Sequence, residues 1–107
     1  MANSYTRLAA LRPANTNEAE LYAVSAGEYI VATLHICNQD STDRTYSVAI
    51  TDASGVATDE DWVRYDFPLY ANISNRLTIA CGDGDTVRVK ASVADKISFV
   101  LTGLKVT

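Results

Sequence analysis

Apolar and polar residues alternate one by one through most of this chain, in short runs separated by clusters of Gly, Asp, Asn and Ser. Alternation turns successive side chains to opposite sides, which is the period of a β-strand with one buried face. The clearest run is Glu28 to Asn38, where Ile30, Ala32, Leu34 and Ile36 share one face and Tyr29, Val31, Thr33, His35 and Cys37 the other. Arg44 to Thr51 repeats the pattern with Tyr46, Val48 and Ile50 inward. Trp62 to Phe67 sets Val63, Tyr65 and Phe67 on one side, and Pro68 ends that strand or marks a sheet edge. Ile73 to Cys81 carries Leu77, Ile79 and Cys81 in phase. Thr86 to Val93 places Val87, Val89, Ala91 and Val93 inside, with Thr86, Arg88 and Lys90 in water. Lys96 to Val106 keeps Ile97, Phe99 and Leu101 in phase as far as Gly103, and a weaker run spans Glu18 to Val24.

Turn chemistry separates these runs. Ser25-Ala26-Gly27, the polar stretch Asn38 to Asp43, Asp52-Ala53-Ser54-Gly55 and Gly82-Asp83-Gly84-Asp85 all read as turns. Residues 56–61 are polar and acidic and read as a loop or one helical turn with Thr58 as N-cap. Seven or eight strands at roughly 8–12-residue spacing, with no long helical period, predict an all-β fold. The expected architecture is an antiparallel β-sandwich or jelly-roll-like barrel, because the connections are too short for crossovers. Such sheets have edges to protect, and Arg88 and Lys90 are candidates to guard one of them. Residues 1–17 break the pattern at Pro13, Asn15, Thr16 and Asn17, which predicts an extended N-terminal arm over 1–17 and a β-sandwich domain over 18–107.

Composition narrows the class. A chain of 107 residues with 48% hydrophobic and 21% charged residues matches one soluble globular domain. No run approaches the ~18 apolar residues of a membrane span, and the N-terminus lacks the order of a secretory signal. The chain is therefore expected to stay in the cytoplasm where it is made until it joins something larger. Thirteen acidic against nine basic residues, with a net charge of −4 and no basic cluster, argue against a nucleic-acid partner. Cys37 and Cys81 have no metal-ligand spacing; they read as free thiols, with a single bridge left open.

The search for catalytic chemistry yields little. The one histidine, His35, shares a strand face with Cys37, so a Cys–His pair is conceivable, but no Gly-rich turn adjoins it to build an oxyanion hole. Asp83-Gly84-Asp85 and Asp59-Glu60-Asp61 gather carboxylates, yet the first is ordinary hairpin chemistry and the second a solvated loop. No phosphate-binding glycine motif occurs. The expectation is a protein that is not an enzyme and uses no metal or cofactor.

Aromatic residues are better used as contact anchors, since they bury much area at low entropy cost. Apolar residues also occur on both faces of the strands: Val31 and Cys37 oppose Ile30 and Ile36, while Val100, Leu104 and Val106 crowd the last strand. That surplus predicts a second buried surface, hence a subunit contact. A carbohydrate-binding module stacking sugars on Trp62 and Tyr65 is the competing reading from another class.

Leu8 to Ala14, Glu20 to Gly27 and Leu34 to Gln39 carry the segments Leu-Arg-Pro, Leu-Tyr-Ala-Val-Ser-Ala-Gly and Ile-Cys-Asn. With Arg44 to Ile50, Tyr65-Asp66, Gly84 to Val89 and Ile97-Ser98-Phe99, they resemble in order a family of small virion proteins of tailed bacteriophages. Ser25 stands where that family often has proline, and Asp61 to Arg64 departs from its usual stretch before Tyr-Asp. The resemblance implies a head decoration or cement protein of the virion, assembled in the host bacterial cytoplasm and clamping the major capsid protein lattice. It also implies a homo-oligomer, with a trimer favoured, and contact residues Tyr5, Leu8, Leu11 and Arg12 in the arm. Trp62, Tyr65 and Tyr70 are further candidate anchors. A neck, tail or fibre component is the alternative placement within the virion.

Overall fold

A computed structural model describes residues 3–52 and 56–107. Its elements are eight strands: β1 (Asn3–Leu11), β2 (Ala19–Ala23), β3 (Tyr29–Asn38), β4 (Arg44–Thr51), β5 (Trp62–Leu69), β6 (Ser74–Cys81), β7 (Thr86–Ala91) and β8 (Ile97–Val106). They form two four-stranded sheets, β1-β8-β3-β6 and β2-β7-β4-β5, with every pairing antiparallel.

The pairing follows one rule. β4 pairs with β5, β3 with β6, β2 with β7 and β1 with β8, and β3–β8 and β4–β7 then knit these pairs into the two sheets. A single long antiparallel ribbon, wrapped around a core, produces this arrangement, which is a jelly roll. The core between the sheets is filled by the inward residues of the alternation: Ile30, Leu34 and Ile36 of β3, Tyr46 and Val48 of β4, Val87 and Val89 of β7, and Ile97, Phe99 and Leu101 of β8. Tyr46 meets Phe67 and Phe99 edge-on at 5.7 and 6.3 Å, and its hydroxyl accepts from Arg64 Nη1 and Asn75 Nδ2. The polar tip of the buried ring is thus satisfied where the two sheets part, a condition for placing tyrosine in a core.

Turns fix the register. In Ser25 to Glu28 and in Gly82 to Asp85 the first carbonyl accepts from the fourth amide, and glycine takes the third position at φ 81° in both. Glycine enters the left-handed region without the penalty a Cβ brings. The acidic fourth residue then caps the first: Glu28 accepts from Ser25 N, and Asp85 from Gly82 N. At the other end of the sandwich buried Asn38 ties β3 to the opposite sheet, its Nδ2 donating to the carbonyls of Thr42 and Leu69 and its Oδ1 accepting from Asp40 N.

Several expectations change. Part of the segment expected as an arm, residues 1–17, is strand β1, paired along β8 at the edge of its sheet. Pro13 and Asn15 to Asn17, where the pattern was expected to break, lie beyond β1; within it a bulge between Arg7 and Ala9 shifts Ala9 and Leu11 onto the face opposite Tyr5 and Arg7. β5 likewise does not keep Val63, Tyr65 and Phe67 on one side. Asp66 adopts φ 46°, its amide donating to Ser47 Oγ, and the kink sends Phe67 to the core while Val63 and Tyr65 stay exposed. Pro68 sits within β5, an edge strand that tolerates the missing donor. Thr86 is buried rather than in water, Arg88 is largely covered by an ion pair with Glu18, and Val106 belongs to the buried set. Arg88 and Lys90 guard no edge, because β7 lies between β2 and β4. At residues 56–61 the described chain makes a turn in which Asp61 accepts from Thr58 N and Oγ1. The expected turn residues Ala53, Ser54 and Gly55 lie outside the described residues.

Candidate functional site

The outward side of the β1-β8-β3-β6 sheet carries three of the exposed large apolar residues, Tyr5, Tyr29 and Val31. Read across the strands, register and alternation place them in transverse rows. Tyr5, Leu104, Val31 and Ala80 form one row; Arg7, Thr102, Thr33 and Thr78 the next; Ala10, Val100, His35 and Arg76 a third. Cys37 follows between Ser98 and Ser74. Tyr5 is 83% exposed and Val31 46%, and Tyr29 lies exposed beside them at the start of β3. The face is therefore apolar at one end, threonine-lined in the middle and cationic toward the other. His35 Nε2 lies 3.2 Å from Thr102 Oγ1, a bond made within the face that fixes the ring without recruiting a nucleophile.

The opposite sheet presents a different outer surface. The connection from β4 to β5 returns across it: Ala57 N donates to Glu18 Oε2, which also accepts from Arg88 Nε, and Asp61 O accepts from Ile50 N. Ser47, Ala49, Thr51 and Thr86, all small, are buried. Beyond this cover, Trp62 and Tyr65 meet edge-to-face at 5.3 Å, with Tyr65 61% exposed. A third apolar area caps the end of the sandwich, where Phe67, Pro68, Tyr70 and Ile73 line a shallow groove and Tyr70 is 63% exposed.

The seven contact residues expected from sequence do not converge. Leu8 and Leu11 pack against the core and offer little outward surface. Tyr5 stands alone at the apolar end of the β1-β8-β3-β6 face, while Arg12 lies at the far end, its Nη1 donating to Gln39 Oε1 at 3.2 Å. Trp62 and Tyr65 belong to the flank of the other sheet, and Tyr70 to the end groove. Among single contact anchors, sequence reasoning passed over Tyr29, Ile73 and Val56, all exposed. The signal for Tyr29 was available, since it shares phase with Val31.

The ionisable groups are mostly engaged structurally. Arg44 holds Asp40 at 2.8 Å and draws its carboxyl below the usual carboxylate range. Burial, helped by Asp85, pushes the Cys81 thiol up to about 11. Burial and then the neighbouring Glu28 raise the Tyr22 phenol. Cys37 and Cys81 are both free thiols at opposite ends of the β3–β6 ladder, roughly 24 Å apart at ~3.4 Å per residue. A bridge between them within one chain is excluded. Among the described residues no three His, Cys, Asp or Glu side chains converge as metal ligands do, and no helix is long and apolar enough to cross a membrane. No family model and no curated protein sequence matches this chain.

Proposed function

We propose that this chain is a structural protein of a tailed-phage virion, a capsid decoration protein that stabilises the major capsid lattice through protein–protein contacts. One observation carries the reading: a stiff jelly roll presents one outer sheet face bare, with Tyr5, Tyr29, Val31 and Leu104 gathered at its apolar end. Exposed apolar area that a fold leaves uncovered marks a surface that meets protein. Jelly rolls recur in viral capsid domains, an analogy at the level of fold that adds weight and no more. The likeness of the segments around Leu11-Arg12-Pro13 and Ile36-Cys37-Asn38 to small virion proteins points the same way.

Weak contacts repeated over a lattice reinforce one another, so a small domain can hold a shell without a large single interface. The test is to mix the purified protein with capsids of its phage and count bound copies by cryo-electron microscopy. The reading expects hundreds of copies at regular lattice positions, and occupancy that drops when Val31→Asp is introduced. A dozen copies or fewer on the particle would move it to the neck, tail or fibre. Absence from particles would reject it.

A further inference from the structure

Arg44 and Arg88 are paired with carboxylates, as an acidic chain with 13 acidic against 9 basic residues readily allows. Arg64 and Arg76 are neighbours, and neither meets a carboxylate among the described residues. The backbone of Arg76 is held from both sides: its N–H donates to Asn75 Oδ1 at 2.8 Å, and its carbonyl accepts from Arg64 Nη2 at 3.4 Å. Arg64 is fixed in turn by the Tyr46 hydroxyl and by the Phe67 ring, 4.5 Å below its guanidinium. The Arg76 side chain is left exposed at the β6 margin of the bare sheet.

Its cross-strand partner is His35. One step beyond Cys37 and Ser74 in the same register, Asn38 N donates to Ile73 O, so Asn38 and Ile73 form a hydrogen-bonded pair. Alternation along the antiparallel ladder then makes His35 and Arg76 a non-hydrogen-bonded pair, the kind whose side chains lie closest. No hydrogen bond joins the two; His35 Nε2 lies instead 3.2 Å from Thr102 Oγ1. With Ser74 and Asn75 they line an open depression of about 730 Å³, and the outward rows of this sheet contain no acidic residue among those described.

We propose that the protein docked on the bare sheet places an aspartate or glutamate side chain in this depression. Its carboxylate sits on the Arg76 guanidinium, with Ser74 and His35 beside it. The planar fork of arginine matches the two oxygens of a carboxylate, and Arg64 adds to the positive field that draws them in. The assignment of that acid to a capsid subunit rests on the virion reading, and it adds an orientation. Apolar contacts form around Tyr5 and Val31 and the charged contact forms at the opposite margin, so the domain fits the lattice one way round.

Sedimenting capsids of its phage with the purified chain separates bound from free protein. Binding should weaken as salt is raised, and Arg76→Glu should weaken it about tenfold or more. Lys90→Glu makes the same charge change on the other sheet and should alter binding less than about twofold. In Arg76→Lys a carbodiimide, which couples an amine to a carboxylate with loss of water, should link position 76 to an Asp or Glu of the major capsid protein. Undiminished binding by Arg76→Glu, indifference to salt, or a bound Arg76→Lys chain that yields no link at position 76 would each overturn the inference and leave the virion reading standing. A chain that never binds capsids rejects that reading, and the docked acid with it.

Discussion

The outer faces of the two sheets are made of similar residues and end in opposite states. On the β2-β7-β4-β5 sheet Ser47, Ala49, Thr51 and Thr86 point away from the core and are nonetheless buried; Ala57, in the described part of the chain between β4 and β5, is tied to this side through Glu18, and the Asp66 amide of β5 donates to Ser47 Oγ. On the β1-β8-β3-β6 sheet Thr33, Thr78, Thr102 and Val100 also point away from the core, and no other part of the described chain lies over them. Side-chain type therefore does not decide which face is wet. A connection long enough to return, and one carboxylate to hold it, does. Glu18 is that carboxylate, serving Arg88 on β7 and the amide of Ala57 at once.

The comparison breaks most sharply at Glu18. Glu18→Ala leaves a largely covered guanidinium and a backbone amide without their acceptor, and should cost about 2–3 kcal/mol, read as a lower midpoint in denaturant. The next effect comes from crowding. Ala49→Leu forces side-chain volume under a closed cover and should destabilise by ~1–3 kcal/mol. On the bare sheet Val31→Thr should change the stability of the isolated chain by less than about 0.5 kcal/mol. Equal costs at positions 49 and 31 would show that both faces are covered in solution.

How far the sequence could be read follows from the same physics. β3, β4, β6 and β8 were legible because their alternation is uninterrupted and one face is fully buried, as Ile30, Leu34, Phe99 and Leu101 show. β1 was not, since one bulged residue inverts the phase of everything after it. The exit of Phe67 from the phase of Tyr65 was invisible for a similar reason: the left-handed Asp66 is held by Ser47, a residue far away in sequence. The bare face was foreseeable in outline from Val31 and Leu104. Its basic bias was not, because Arg7 and Arg76 come from β1 and β6, strands that join one sheet only when the ribbon wraps.

Reagent access and pH separate the two thiols. Cys37 is partly exposed on the bare sheet, whereas Cys81 is buried with its acidity pushed to about 11. At pH 8 a thiol reagent should modify Cys37 in the native protein and reach Cys81 only on unfolding. Because the folded value lies above the ordinary value of 9.0, the contribution of Cys81 is complete below pH 9 and fades as pH rises toward about 11. Cys81→Ala should remove that alkaline slope, as followed by unfolding midpoints across that range.

The ribbon that wraps this molecule also sets an order of events. Asn3 finds its partner in Val106 and Leu11 in Phe99, so β1 waits until the later-made β8 has emerged. Only β4 and β5 can zip as near neighbours, and closure then spreads outward to more distant pairs, a route that favours slow folding. A ribosome that stalls before residue 97 would release a chain with β1 unmated and β3 left with a bare hydrogen-bonding edge.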